Sequence, residues 1–130
     1  MVVATGVDLA EIERIARALA APHGARFRER VFTEEERRYC ESRGRGSADS
    51  YAARFAAKEA VMKALGVGWG RDAGWRDIAV VRERGGPPRV ELAGSARETA
   101  RRKGIARLSL ALSHAGGLAI AFVVAEDGAH

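Results

Sequence analysis

Tyr51-Ala52-Ala53-Arg54-Phe55-Ala56-Ala57-Lys58-Glu59-Ala60-Val61-Met62-Lys63-Ala64-Leu65 is the stretch from which the rest of the chain can be read. It predicts one long helix, capped at its start by Asp49 or Ser50 and closed by Gly66. At about 100° per residue, Tyr51, Phe55, Met62 and Leu65 share one side and predict its buried stripe. Lys58 falls inside that stripe, with Glu59 at its edge and Lys63 beside it. Charges stand where apolar residues are expected. Either Lys58 snorkels while Glu59 makes an ordinary i,i+4 pair with Lys63, or the three groups serve chemistry.

Upstream, the β-branched run Val2 to Leu9 predicts a strand with Asp8 at its end, and Glu11 to Ala21 a helix with Ile12, Ile15 and Leu19 at helical spacing. Pro22 and Gly24 stop that helix, and Arg26-Phe27-Arg28-Glu29-Arg30 reads as a basic connection to Phe32. Thr33-x-x-Glu36 is a capping box, so a helix should run from about Glu34 to Arg43 before the polar loop Gly44-Arg45-Gly46-Ser47. Downstream of the long helix come a glycine-rich connection through Gly74 and a hairpin, Trp75 to Arg82 and Arg89 to Leu92, around Gly85-Gly86-Pro87-Pro88. Ser95 with Glu98 predicts a second capping box, on a helix ending at Gly104. Arg107 to His114 and Leu118 to Ala125, joined at Gly116-Gly117, read as central hairpin strands. Helices and antiparallel strands mix without a βαβ alternation, which predicts an α+β fold in one domain over residues 1–130.

Composition narrows the function. A chain of 130 residues and 13.9 kDa with 47% hydrophobic residues can bury a core, and its charge of +5 at a pI near 10.1 favours an acidic partner or a phosphate-rich ligand. Of 22 basic residues only Lys58, Lys63 and Lys103 are lysine, and two of these fall on the long helix, where a compact ammonium replaces the usual guanidinium. No apolar run reaches membrane-spanning length and the first residues lack a signal-like pattern, so the cytoplasm is expected and no membrane partner. The single Cys40 forbids an internal disulfide, agrees with a reducing compartment, and has no catalytic signature around it.

Asp8, ending an apolar strand, must be solvated, paired or bound to a cation, and it is equally suited to cap the helix that follows. Asp8 and Glu59, carboxylates from separate elements with no His or Cys cluster nearby, would suit a hard ion such as magnesium. Gly66, Gly68 and Gly70 follow a helix, which is the wrong context for a dinucleotide fingerprint, and the Walker pattern is missing, so they read as a flexible or tightly turning loop that Trp69 and Trp75 would anchor. Ser113 and His114 point to opposite faces of a strand and cannot be a dyad; His114 alone fits a phosphate donor, a base or a structural histidine.

The motifs Gly6-Val7-Asp8-Leu9, Glu13-Arg14-Ile15, Phe32-Thr33-x-x-Glu36 and Arg54-Phe55-Ala56-Ala57-Lys58-Glu59-Ala60-Val61-x-Lys63-Ala64-Leu65-Gly66 together resemble the holo-(acyl-carrier-protein) synthases, 4'-phosphopantetheinyl transferases. Gly68-x-Gly70, Trp75-x-Asp77-Ile78-x-Val80, Gly86-x-Pro88 and Leu112-Ser113-His114 keep the family's order, so the likeness spans the chain. Ala111 and Ala115 depart from it, at positions where the family often has Ser and another polar residue. The resemblance implies a magnesium-dependent transfer of phosphopantetheine from coenzyme A to apo acyl carrier protein, in a homotrimer with active sites between subunits; whether the carrier serves fatty acid biosynthesis, polyketide synthesis or another pathway is not encoded in the sequence. It implies Asp8 and Glu59 as metal ligands, Lys63 with them in catalysis, and Lys63, Arg54, Gly66, Pro88 and His114 at the coenzyme. Glu59, Asp8 or a metal-bound water would take the serine proton. The strands holding Leu108, Leu110, Leu112, Ile120, Phe122 and Val124 would supply the subunit contact. Arg14, Arg17 and Arg26, with Arg28 and Arg30 nearby, would dock the acidic carrier. A nucleic-acid-binding module would also explain the pI, but the arginines are scattered and not interleaved with aromatics; an adaptor domain would leave Asp8, Lys58, Glu59 and Lys63 unexplained.

Overall fold

The computed structural model describes residues 1–128 and is α+β. Strand β1 (Val2–Glu11) leads into α1 (Ile12–Ala20), α2 (Gly24–Val31), α3 (Glu34–Glu41) and the long α4 (Ser47–Leu65). The hairpin β2 (Ile78–Arg82) and β3 (Pro88–Leu92) follows, then α5 (Gly94–Arg102) and the hairpin β4 (Arg107–Ala115) and β5 (Leu118–Glu126). Two antiparallel sheets result, one ordered β1-β5-β4 and one of β2 with β3. Of the two last strands only β5 is central; β4 is an edge.

α4 lies across the inner face of the three-stranded sheet. Alternation along β5 sends Ala119, Ala121, Val123 and Ala125 inward, all fully buried, and their small size lets the helix come close. The approach is tightest at β1, where a Cβ on Gly6 would fall 1.9 Å from the Ala60 carbonyl oxygen. Only glycine fits there, and Asp8 follows two residues later on the same strand face. Packed on several sides, α4 buries Ala52, Ala56, Ala57, Ala60, Val61 and Ala64 along with Tyr51, Met62 and Leu65, while Phe55 is only half-buried. The expected single stripe is therefore a nearly all-round buried helix.

Several local expectations change for identifiable reasons. β1 continues to Glu11, which pairs with Leu118, so Asp8 sits inside the strand and caps nothing. The basic run at residues 26–30 is helical, because Phe27 and Val31 stand four apart and turn an apolar edge to the interior. α4 takes neither Asp49 nor Ser50 as a cap: the 3-10 turn Gly44–Gly46 feeds straight into it, with Gly46 at the cap position. Ser95 also caps nothing, since its hydroxyl donates to Asp77 at 2.9 Å while Glu98 pairs with Arg101. The first capping box does form, Thr33 accepting from the Glu36 N–H at 3.1 Å and Glu36 from the Thr33 N–H at 2.7 Å. Gly66 closes α4 at φ +74°.

Candidate active site

Glu36 does more than complete its capping box. Its carboxylate also accepts the Lys58 ammonium at 2.8 Å and the Val80 N–H at 2.8 Å, while Lys58 spends its other protons on the Trp75 carbonyl, at 3.0 Å, and on that of Ile78. Lys58 is fully buried, so burial pulls its pKa down, and the Glu36 charge opposes that shift. It does not snorkel; it ties α3, α4 and the start of β2 into one block. Nothing in the sequence signals this pair, whose members are separated by a loop and lie on different helices.

The neighbouring residue looks the other way. Glu59 is half-buried, and burial raises its carboxyl pKa, as does the nearby Asp8 carboxylate, while Lys63 lowers it. Lys63 reaches across from α4 to β1, with its ammonium 2.8 Å from Asp8 Oδ1 and 3.1 Å from the Val7 carbonyl oxygen. The expected Glu59–Lys63 pair is thus replaced by Asp8–Lys63, and the Asp8 hydrogen bond raises the Lys63 pKa.

Asp8, Glu59 and Arg14 line one cleft of about 580 Å³, whose remaining wall includes Ile15, Phe27 and Phe55. Two like-charged groups side by side, one of them raised by the other, form a pair that a hard divalent cation would relieve. No group of three or more His, Cys, Asp or Glu is placed to hold a metal ion among the described residues, and a magnesium-like ion would take its remaining oxygens from water and a phosphate.

His114 opens into a neighbouring cleft of about 530 Å³ with Glu11, Glu13 and Asp49; Glu11 and Leu118 line both clefts. Pro88 begins β3 opposite Arg82, on the other sheet. Gly66 donates its N–H to the Lys63 carbonyl, one turn beyond the site. Arg54 is buried, its guanidinium 4.2 Å over the Tyr39 ring and bonded to the Ser50 carbonyl. Arg17 is exposed and pairs with Glu13 at 3.2 Å; Arg28 is committed inward, to the Leu19 carbonyl at 3.1 Å and to Glu41. Arg26 is exposed on α2. Cys40 is buried, and burial pushes its thiol pKa up to about 12.

A model of the 4'-phosphopantetheinyl transferase superfamily matches residues 4–123. The chain belongs to that superfamily. Within it the chain sits with the holo-(acyl-carrier-protein) synthases. It is 46% identical over 123 residues to that of Ruminiclostridium cellulolyticum, covering 95% of this chain and 91% of the relative. It is 48% identical over 128 residues to that of Anaeromyxobacter dehalogenans, covering 97% of each. The crystal structure of the Neisseria meningitidis synthase superposes with a TM-score of 0.87 at 32% identity, over 98% of this chain and 100% of that one. The Helicobacter pylori synthase in complex with coenzyme A gives 0.81 at 32% identity, over 94% and 99%. The superfamily member described here carries no helix long and apolar enough to cross a membrane among its described residues.

Proposed function

We propose that the protein transfers the 4'-phosphopantetheine group from coenzyme A to a serine of apo acyl carrier protein. The serine oxygen bonds to the phosphorus that bears pantetheine, the bond from that phosphorus to the bridging oxygen breaks, and adenosine 3',5'-bisphosphate leaves as the serine proton passes to Glu59, Asp8 or a water held in the cleft. One observation carries this reading: Asp8 and Glu59, from elements far apart in the chain, meet in one cleft with Arg14, with Lys63 beside them on Asp8. Its relatives, the holo-(acyl-carrier-protein) synthases, give the reading its substrates.

Asp8 and Glu59 would hold magnesium, which when bound neutralises the pyrophosphate and polarises the leaving oxygen. Lys63 would turn from Asp8 to a phosphate oxygen, as a point charge on a flexible stem can. Arg14 and the exposed Arg17 and Arg26 would receive the carrier's acidic surface.

Pro88 stands on the other sheet and His114 lines only the adjoining cleft, so neither lines the Asp8 cleft within one chain, which favours a homotrimer whose neighbouring subunits complete the coenzyme site. Cross-strand register places Val7, Phe122 and Ala111 side by side on the outer sheet face, away from α4, with Val7 51% and Phe122 44% exposed. That open apolar face suits subunit contact, whereas Leu108, Leu110 and Leu112 lie on the opposite, helix-facing side. The protein would act in the cytoplasm as a single transferase domain serving fatty acid biosynthesis. Incubation with labelled coenzyme A and apo acyl carrier protein tests the reading: label must appear on the carrier with magnesium, and its absence would overturn the assignment.

A further inference from the structure

The wall of the Asp8 cleft does not stop at the cleft. Phe55, which lines it, stacks on Trp75 at 5.2 Å, and Trp75 stacks on Trp69 at 6.4 Å. Trp69 is 59% exposed, yet it is not a loose ring, because the Arg30 guanidinium sits over it, 5.9 Å from the ring centroid. The loop that presents it turns at Gly70, with φ +136°, and is closed by the Gly70 N–H to the Ala73 carbonyl at 2.7 Å. Beside it, Arg26, Arg30 and Arg76 surround a shallow hollow of about 320 Å³ with Glu29 as the only acidic member. All three arginines are exposed, and neither Arg26 nor Arg76 makes an ion pair among the described residues.

An exposed indole stacked on Trp75 and under the Arg30 guanidinium, next to a hollow that Arg30 shares with Arg26 and Arg76, suits a partner that is acidic and offers an apolar side chain. Tryptophan and arginine dominate such contacts, and pre-ordering the ring lowers the entropic cost of docking. The path from this patch to the cleft runs along one aromatic row, so a protein seated here places its neighbouring surface over Asp8 and Glu59. We infer that Trp69, Arg30 and Arg76 form a second docking contact for the acidic carrier protein, beyond the one expected at Arg14. The inference rests on the proposed carrier substrate and adds the residues that hold its far side.

Two measurements test it. In steady-state transfer with the carrier varied, Trp69→Ala and the pair Arg30→Glu with Arg76→Glu should each raise the Michaelis constant for carrier about tenfold, with that for coenzyme A unchanged. Arg97→Glu, a single charge reversal on α5 away from the patch, should leave both constants unchanged. The chain has only the tryptophans Trp69 and Trp75, so in Trp75→Phe the emission reports Trp69 alone, and apo carrier added without coenzyme A should shift it. Unchanged carrier constants in both variants, an equal rise in Arg97→Glu, or an emission shift given by a DNA duplex and not by carrier would overturn the inference. The charge-reversal pair is solvent-exposed and keeps the test available if Trp69→Ala does not fold. Emission needs no turnover, so a parent protein that binds carrier through Trp69 without transferring anything would overturn the transfer reading and leave this dock standing.

Discussion

Lys63 and Asp8, 55 residues apart in the chain, are joined at 2.8 Å across the gap between α4 and β1. The pair engages one of the two cleft carboxylates, so Lys63 would compete with a divalent ion for Asp8. Lys63→Met removes the competitor and also the charge that lowers the Glu59 pKa. Magnesium should bind no more weakly than in the parent, transfer should fall about a hundredfold, and the acid limb of the rate profile should move to higher pH. Calorimetric titration with magnesium and a pH series check all three; weakened metal binding would mean that Lys63 supports the metal site and does not compete for it.

The Lys58–Glu36 pair should behave differently, as a structural block. Removing one charge strands the other in a solvent-free site, so Lys58→Met or Glu36→Gln should each cost about 3–5 kcal/mol, read from urea unfolding. A loss below about 1 kcal/mol would show that water reaches the pair.

Glu59 should make the protein less stable than it could be. Burial and Asp8 raise its folded pKa above the unfolded value, so the native state binds more protons between the two, and stability falls as pH rises through that window. Glu59→Gln removes the penalty. The variant should melt at or above the parent temperature at neutral pH, with the difference vanishing at pH values below the ordinary glutamate range. A lower melting temperature at neutral pH would contradict the assigned direction.

Gly6→Ala tests how the fold makes the site. The added methyl would overlap the Ala60 carbonyl at 1.9 Å, forcing β1 and α4 apart. Overpacking of this kind costs about 1–3 kcal/mol, and here it also moves Asp8 away from Glu59. Turnover should therefore drop in the fraction that remains folded, measured as rate per native molecule by circular dichroism and transfer assay. Full activity per folded molecule would show that the site tolerates the separation.

The α+β order, the long helix and its Gly66 cap were legible because helical spacing, glycine stops and β-branched runs are local signals. Asp8, Glu59 and Lys63 could also be singled out, since each places charge on an apolar element. What could not be read is long-range. Lys63 chose Asp8 over its helical neighbour Glu59, and Lys58 chose Glu36, because the partner in each case is supplied by packing between elements and not by spacing along one. Arg26 to Arg30 looked like a loop because only two apolar residues mark its buried edge. Ser95 lost its cap role to Asp77, and Trp69 gained its place beside Arg30, through contacts that no local pattern encodes.

The most direct test of the central claim, that Asp8 and Glu59 together serve the transfer, is mass spectrometry of apo acyl carrier protein incubated with coenzyme A across a magnesium series. The parent should add phosphopantetheine to the carrier in a magnesium-dependent way, and Asp8→Asn and Glu59→Gln should each fold normally yet slow that conversion by about a hundredfold or more. Conversion by both variants at the parent's rate and with the parent's magnesium dependence would contradict it.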